Sequence, residues 1–338
     1  MTAPPSRSAS SNASADLPLH VGPATIKAPG NAPGSLAPPS NPCHALAMEH
    51  MLTLIAPQGT GTLTPALIDR VRDAAQGGPA VILSEGEAAD IPCPVPPDTD
   101  LIHAALDAAP VDAVLTPAAN RRKRLLVADM DSTIVTTETL DELAGHAGLH
   151  EEVAAITRRS MNGEIDFAEA LRHRVALLRG LPLAALEQTW AATHLMPGAR
   201  ELVATMRAHG ASTALVSGGF TFFTGRVAAL LGFDHHRANT LLDDGAALLG
   251  TVGTPILDRN AKLAALHAFA DADGLALADT LAVGDGANDL AMIRAAGLGV
   301  AYHAKPIVAA EAAVRIEHAG LRALLFMQGY PASSFAGA

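Results

Sequence analysis

Three short apolar runs constrain this chain more than any other feature. They are Leu125-Leu126-Val127-Ala128, Thr213-Ala214-Leu215-Val216 and Leu281-Ala282-Val283. None alternates between polar and apolar residues, and each is too short for an ordinary helix. A strand that is apolar on both sides is buried on both sides, as in a parallel sheet covered by helices. Each run stops at a polar or glycine-rich cluster. Asp129-Met130-Asp131-Ser132-Thr133 follows the first and Ser217-Gly218-Gly219-Phe220 the second. Gly284-Asp285-Gly286-Ala287-Asn288-Asp289 follows the third. In a parallel sheet such clusters lie beyond the carboxyl ends of the strands, where ligands bind.

The residue types at these strand ends suit phosphate and metal chemistry. Asp129 and Asp131 would reach into one site, and two carboxylates that close repel each other. A divalent cation or a proton held by one of the pair relieves the repulsion. Either solution suits a site where one carboxylate attacks an electrophile and the other moves protons. The plainer alternative is an Asp pair that caps a turn. Asp285, Asn288 and Asp289 offer the hard oxygen donors that Mg²⁺ prefers, or they form a polar loop with nothing bound. The Ser217 hydroxyl and neighbouring N–H groups can cradle a phosphate, or form an ordinary turn. Lys262 opens an apolar-periodic helix (Leu263, Leu266, Phe269). A cation near a helix N-terminus is mildly unfavourable, which favours a functional reason for it.

Four motifs in the order D-x-D-S-T, S-G-G, K and G-D-G-x-N-D resemble the haloacid dehalogenase-like phosphatase superfamily. The resemblance covers about residues 125–330. Further segments are similar to the phosphoserine phosphatases within it. These are Glu138 after the first motif, Met161-Asn162-Gly163-Glu164-Ile165-Asp166-Phe167 and Leu171-Arg172-His173-Arg174-Val175. Tyr302-His303-Ala304-Lys305-Pro306 and Met327-Gln328-Gly329-Tyr330 complete the set. The resemblance implies an α/β fold, a doubly wound parallel sheet with an inserted helical cap. It implies Mg²⁺-dependent hydrolysis of O-phosphoserine to serine and phosphate, the last step of serine biosynthesis. Asp129 would be the nucleophile, forming a phospho-aspartyl intermediate, and Asp131 the general acid and base. Mg²⁺ would be held by Asp129, the Asp131 backbone carbonyl and Asp285, with Asp289 in support. Ser217, the Gly218 N–H and Lys262 would hold the phosphate, and Asn288 would orient the substrate. Glu138, Met161, Phe167 and Arg174 would recognise the serine part, Arg174 its carboxylate and Glu138 its ammonium. Without the resemblance, Arg174 is a solvated helix arginine and Glu138 a first-turn acid. A related phosphatase or phosphotransferase acting on phosphohomoserine or a small phosphosugar shares the same core motifs. A regulator with a silent phosphatase fold is disfavoured, because Asp129, Asp131, Lys262 and Asp285 are all present.

Composition bounds the remainder. The net charge of −11 argues against a nucleic-acid partner. With 49% apolar but only 3% aromatic residues, the core must be built from aliphatic side chains. Two cysteines, Cys43 and Cys93, make no disulfide framework and suit a cytoplasmic protein. No run of 18 apolar residues exists, so no membrane span is expected.

Residues 1–48 are rich in Pro, Ala, Ser, Gly and Asn and are expected to be disordered. Met48 and Met51 are candidate translation starts. Residues 49–118 suit a small α+β module of ferredoxin-like order, loosely similar to the ACT-like modules of some bacterial relatives. Such a module senses an amino acid, contacts a second copy in a homodimer, or packs; packing or dimerisation is the simpler expectation. Arg121-Arg122-Lys123-Arg124 is expected to be a solvated face. Residues 119–338 would form the phosphatase domain, with the cap at about 139–195. Helical spacing of Phe167, Ala170, Leu171, Val175 and Leu178 supports that cap. Leu241 to Leu249 is expected to form a hairpin turning at Asp244-Gly245. His235 and His236 have no matching ligand set and are expected to be structural or solvated.

Overall fold

The computed structural model describes residues 49–162 and 164–337, with Met161 and Arg259 described by backbone alone. The expected tail at 1–48, with Cys43 and Met48, lies outside the described residues. The first part comprises β1 (His50–Ile55), α1 (Pro65–Ala74), β2 (Val81–Ser84), β3 (Ala88–Cys93), α2 (Thr99–Leu106) and β4 (Asp112–Pro117). Local chemistry starts both helices. Thr64 accepts from the Leu67 N–H ahead of Pro65, and Asp98 accepts from the Asp100 N–H. The strands pair antiparallel in the order β2-β3-β1-β4, the arrangement of a ferredoxin-like unit. Leu52, Leu54 and Ile91 face α1 and α2, packing with Leu67, Val71 and Ile102.

The other face of this sheet packs onto the larger part of the chain, for Ile55, Leu83, Ala88 and Val114 join its core. Two buried carboxylates of the sheet find cations across this seam. Arg121 Nη1 lies 2.6 Å from Asp90 Oδ2, and Arg322 Nε lies 2.9 Å from Glu87 Oε1. The expectation that residues 121–124 form a solvated face is therefore corrected. Arg122 and Arg124 are exposed, but Arg121 is committed to Asp90 and to the Met327 carbonyl. Lys123 is buried and donates to the carbonyls of Asn120 and Ala278. A buried carboxylate such as Asp90 is costly without an opposite charge.

The larger part begins with β5 (Leu125–Ala128) and then α3 (Thr139–Gly145), α4 (His150–Met161), α5 (Phe167–Ala176) and α6 (Ala184–Ala192). There follow α7 (Ala199–Ala208), β6 (Ser212–Phe220), α8 (Thr221–Leu231), β7 (His235–Asn239), β8 (Leu241–Asp243) and β9 (Leu248–Val252). The chain ends with α9 (Arg259–Ala272), β10 (Thr280–Gly284), α10 (Leu290–Ala295), β11 (Leu298–Tyr302), α11 (Pro306–Glu311), β12 (Val314–Ile316) and α12 (Ala323–Phe326).

Six strands form a parallel sheet in the order β12-β11-β10-β5-β6-β7. The chain moves outward from β5 through β6 to β7, then crosses back to set β10 on the other side of β5. The strand order thus reverses between β5 and β10, the place where such sheets bind ligands. Ala128 pairs with Val283 on one side and Leu215 on the other. That register brings Asp129, Asp285 and Ser217 to one edge. Both faces are covered: Leu126, Leu215 and Val283 enter one core, while Val127, Ala214 and Ala282 enter another.

Helices α3 to α6 form the insertion, entered and left through a bridge between Val135 and Leu195. The hairpin of β8 and β9 turns at Asp244-Gly245, as expected, and supports it. Gly180 N–H donates to the Leu248 carbonyl (2.8 Å) and Leu183 N–H to the Ala246 carbonyl (3.0 Å). One local expectation changes. β6 does not end at Val216 but runs through Ser217-Gly218-Gly219, and its pairing with β7 slips between Val216 and Phe220. Glycines permit such an irregularity inside a strand. No helix among the described residues is long and apolar enough to cross a membrane.

Candidate active site

Asp129 is the first residue past β5, and its N–H still bonds to the Val283 carbonyl (3.0 Å). Strand alternation continues for two residues. Met130 turns into the core, while Asp129 and Asp131 point the other way. The chain then folds back tightly. The N–H groups of Thr133, Ile134 and Val135 all reach the Met130 carbonyl, and Ser132 adopts φ +53°.

The two aspartates have different surroundings. Asp129 Oδ1 accepts from the Met130 N–H (2.8 Å) and lies 2.7 Å from Lys262 Nζ. Asp131 Oδ1 accepts from the Thr139 N–H (2.9 Å), and its Oδ2 accepts from the Ser217 hydroxyl (3.2 Å). Burial, followed by the charges of Glu138 and Asp129, pushes the Asp131 carboxyl up to about 7. A carboxyl in that range can give and take a proton near neutral pH.

Lys262 reaches inward from the first turn of α9, whose N-cap Asp258 accepts from the N–H groups of Asn260 and Ala261. Its Nζ also lies 2.6 Å from Asp289 Oδ1. Burial opposes its charge, but Asp129 and Asp289 hold it well above the ordinary lysine range. Asp289 Oδ2 accepts from the Gly286 N–H (3.1 Å). This fold-back requires Gly284, where a Cβ would stand 2.3 Å from Asp289 Cγ. Lys305 Nζ lies 2.7 Å from Asp285 Oδ2 and 3.5 Å from Glu138 Oε1.

One carboxylate oxygen from each of Asp129, Asp285 and Asp289 lies within 4.8 Å of the other two, and all three residues are buried. Asp131 and Glu138 add two more carboxylates beside the ammonium groups of Lys262 and Lys305. Negative charge is in excess. Burial, opposed by Lys305 and aided by the charges of Asp129 and Glu138, pushes Asp285 up to about 6. Burial and Asp129, against Lys262, push Asp289 up to about 8. A hard divalent cation would offset the same excess, and a cluster of buried carboxylate oxygens fits one. The sequence expectation had Asp289 in support; here its carboxylate is one of the clustered three.

The remaining expected residues divide by location. Ser217 is buried and accepts from the Gly219 N–H (2.9 Å). Gly218 lies under the Phe167 ring, the first residue of α5, so cap and sheet meet there. Asn288 Oδ1 is buried with no hydrogen-bond partner among the described residues. Glu138 precedes α3 and accepts from the Ser132 hydroxyl (2.9 Å). Arg174 is no solvated helix arginine, for only 5% of its surface is exposed. It is held inside the cap by the Ala170 carbonyl and the Thr157 hydroxyl. Met161 ends α4, and its side chain lies outside the description. His235 stacks on Phe269, and His236 bonds to the Thr224 hydroxyl.

Sequence reasoning gave no role to Lys305, Thr157 or Asp141. Lys305 carried one local signal. It occupies the N-cap of α11, a position that favours Ser, Thr, Asp or Asn, directly after a strand beside β10. Thr157 and Asp141 carried none, since they look like ordinary helix residues until the cap helices are packed together.

Comparison with known proteins agrees with this geometry. A phosphoserine phosphatase of Streptomyces coelicolor is 43% identical over 218 residues, which are 64% of this chain and 53% of that protein. The chain thus spans about half the length of the longer curated relatives it matches. A solved phospho-aspartyl intermediate analogue of phosphoserine phosphatase is 41% identical with a TM-score of 0.58, over 61% of this chain and 98% of that one. The unliganded probable phosphoserine phosphatase of Vibrio cholerae is 34% identical with a TM-score of 0.69, over 86% of this chain and 88% of that one. The haloacid dehalogenase-like hydrolase family matches residues 126–294, the span from β5 through α10 that carries both aspartate clusters and Lys262. The chain belongs to the haloacid dehalogenase-like hydrolase family.

Proposed function

We propose that this chain hydrolyses O-phospho-L-serine to L-serine and inorganic phosphate through a phospho-aspartyl intermediate on Asp129. The observation that carries the reading is the contrast between Asp129, held by Lys262, and Asp131, whose carboxyl is raised toward neutrality. An Asp129 oxygen attacks phosphorus, and the P–O bond to serine breaks as Asp131 protonates the departing oxygen. Asp131 then takes a proton from a water molecule, whose oxygen attacks phosphorus and releases Asp129. Two displacements replace one harder displacement. Ser217, the Gly218 N–H and Lys262 hold the phosphate oxygens, and Asn288 orients the substrate. Mg²⁺ bound by Asp129, Asp285 and the Asp131 main-chain carbonyl would let an anionic nucleophile approach an anionic phosphate.

The serine part falls to the cap in this reading. Arg174 meets the carboxylate and Glu138 the ammonium, with Phe167 and Met161 as further substrate-binding residues. The likeness to phosphoserine phosphatases, one of them solved as a phospho-aspartyl intermediate analogue, supports the substrate and the covalent route. We also take residues 119–338 as the phosphatase domain and 49–118 as an ACT-like module whose part is packing or dimer contact, in a cytoplasmic enzyme. Arg121–Asp90 and Arg322–Glu87 support a packing part.

Phosphate release from phosphoserine, phosphohomoserine, a phosphosugar and para-nitrophenyl phosphate, with and without Mg²⁺, tests the proposal. Phosphoserine should lead the panel and require Mg²⁺, and Asp129→Asn should lose several orders of magnitude. Preference for another ester, or substantial turnover by purified Asp129→Asn, would overturn it.

A further inference from the structure

The cap contains a buried polar chain that links three of its helices. Arg174 on α5 spends its Nε on the Ala170 carbonyl one turn back (3.3 Å). Its Nη1 donates to Thr157 Oγ1 on α4 at 2.9 Å. Thr157 Oγ1 lies 2.6 Å from Asp141 Oδ1 on α3. All three residues are buried. The Thr157 hydroxyl can only accept from the guanidinium, so its one proton goes to the Asp141 carboxylate at 2.6 Å, in competition with the Val153 carbonyl at 3.0 Å. Nη2 has no hydrogen-bond partner among the described residues. Nε and Nη1 are thus each held within the cap, while Nη2 remains for a ligand.

The place of this chain in the fold matters as much as its contacts. Asp141 lies in the first turn of α3, the helix whose Thr139 N–H bonds to Asp131. Burial disfavours the Arg174 cation, and the charges that oppose burial are Asp141, then Glu138, then Asp131. The guanidinium therefore lies within the field of both the proposed ammonium acceptor and the proposed acid. A free arginine side chain has many rotamers, and holding it before the ligand arrives removes that ordering cost from binding.

We propose that Thr157 and Asp141 are positioning residues for specificity, holding Arg174 where it meets the substrate carboxylate. This rests on the reading that the substrate is phosphoserine and that Arg174 binds its carboxylate. Neither residue touches substrate; both act through the guanidinium. The prediction is a selective one. Losing the Thr157 hydroxyl should weaken binding of phosphoesters that carry a carboxylate and spare those that do not.

Thr157→Val keeps the shape of the side chain and removes the hydroxyl. Its KM for phosphoserine should rise about tenfold with kcat near wild type. Turnover of phosphoethanolamine, which has the ammonium and phosphate but no carboxylate, should be unchanged, and this also reports that the variant is folded. Thr157→Ser should restore phosphoserine binding. Asp141→Asn, which keeps an acceptor but not the charge, should raise KM by a smaller factor. Equal losses on both substrates, a fall in kcat in place of a rise in KM, or failure of Thr157→Ser to restore binding would each overturn the inference. A wild-type enzyme without preference for phosphoserine would instead overturn the underlying reading. Wild-type preference with Thr157→Val unaffected would sink the positioning role alone.

Discussion

Gly218→Ala adds one methyl group where the cap meets the sheet. The new Cβ would stand 2.7 Å from Phe167 Cζ and 3.2 Å from Cε2. Carbon atoms rest at about 3.5–4.0 Å, so the ring must retreat by about an ångström. Phe167 opens α5, the helix that also carries Arg174, so its retreat shifts the proposed specificity residue with it. Overpacking of this kind costs about 1–3 kcal/mol, and a misplacement of about 1 Å costs about 10²-fold in rate. Phe167 is only half-buried and can yield, so the loss should fall mainly on activity. We expect kcat/KM for phosphoserine to drop by about 10- to 10²-fold, with little change in the thermal midpoint. The assay is a double-mutant cycle of wild type, Gly218→Ala, Phe167→Ala and the double variant. The clash needs the ring, so Gly218→Ala should cost little in the Phe167→Ala background. An equal penalty in both backgrounds would refute the steric argument and place the effect in the Gly218 main chain beside the phosphate.

Asp131→Asn should reduce the phosphorylation step by about 10²–10⁴-fold for phosphoserine. It should cost less for para-nitrophenyl phosphate, whose leaving group needs no proton; single-turnover rates that fall equally would count against Asp131 as the acid. Under a chelator, stability should decline as pH rises from about 5 to 8. Asp285, Asp131 and Asp289 keep their protons up to about 6, 7 and 8 in the folded chain, whereas unfolded carboxyls lose them near about 3.9. The folded state then binds more protons than the unfolded one across that window, and stability has a negative slope with pH. Adding Mg²⁺ should flatten the slope; thermal melts that instead climb from pH 5 to 8 under the chelator would mean these carboxyls are already ionised in the fold.

Much of this site is written in short stretches of chain. The runs Leu125–Ala128 and Leu281–Val283 are apolar on both sides, so a buried parallel sheet was legible before any contact was known. Asp129, Asp131 and Asp285 follow those runs directly, and parallel register alone carries them to one edge. Gly284 and the fold-back of Asp289 belong to the same kind of local chemistry. Partner choice among charges is different, because it depends on which surfaces meet after packing. Arg121 lies in a run of four basic residues, yet it alone reaches Asp90, and neighbouring Arg122 stacks over Tyr330. Lys305 becomes a partner of Asp285 and Glu138 only because β11 lies beside β10 while α3 starts close by. Arg174, Thr157 and Asp141 come together only when α3, α4 and α5 pack. Periodicity and turn chemistry act over a few residues and are visible in order along the chain. Burial makes an unpaired charge costly, and that cost selects partners across any separation, so tertiary structure decided them.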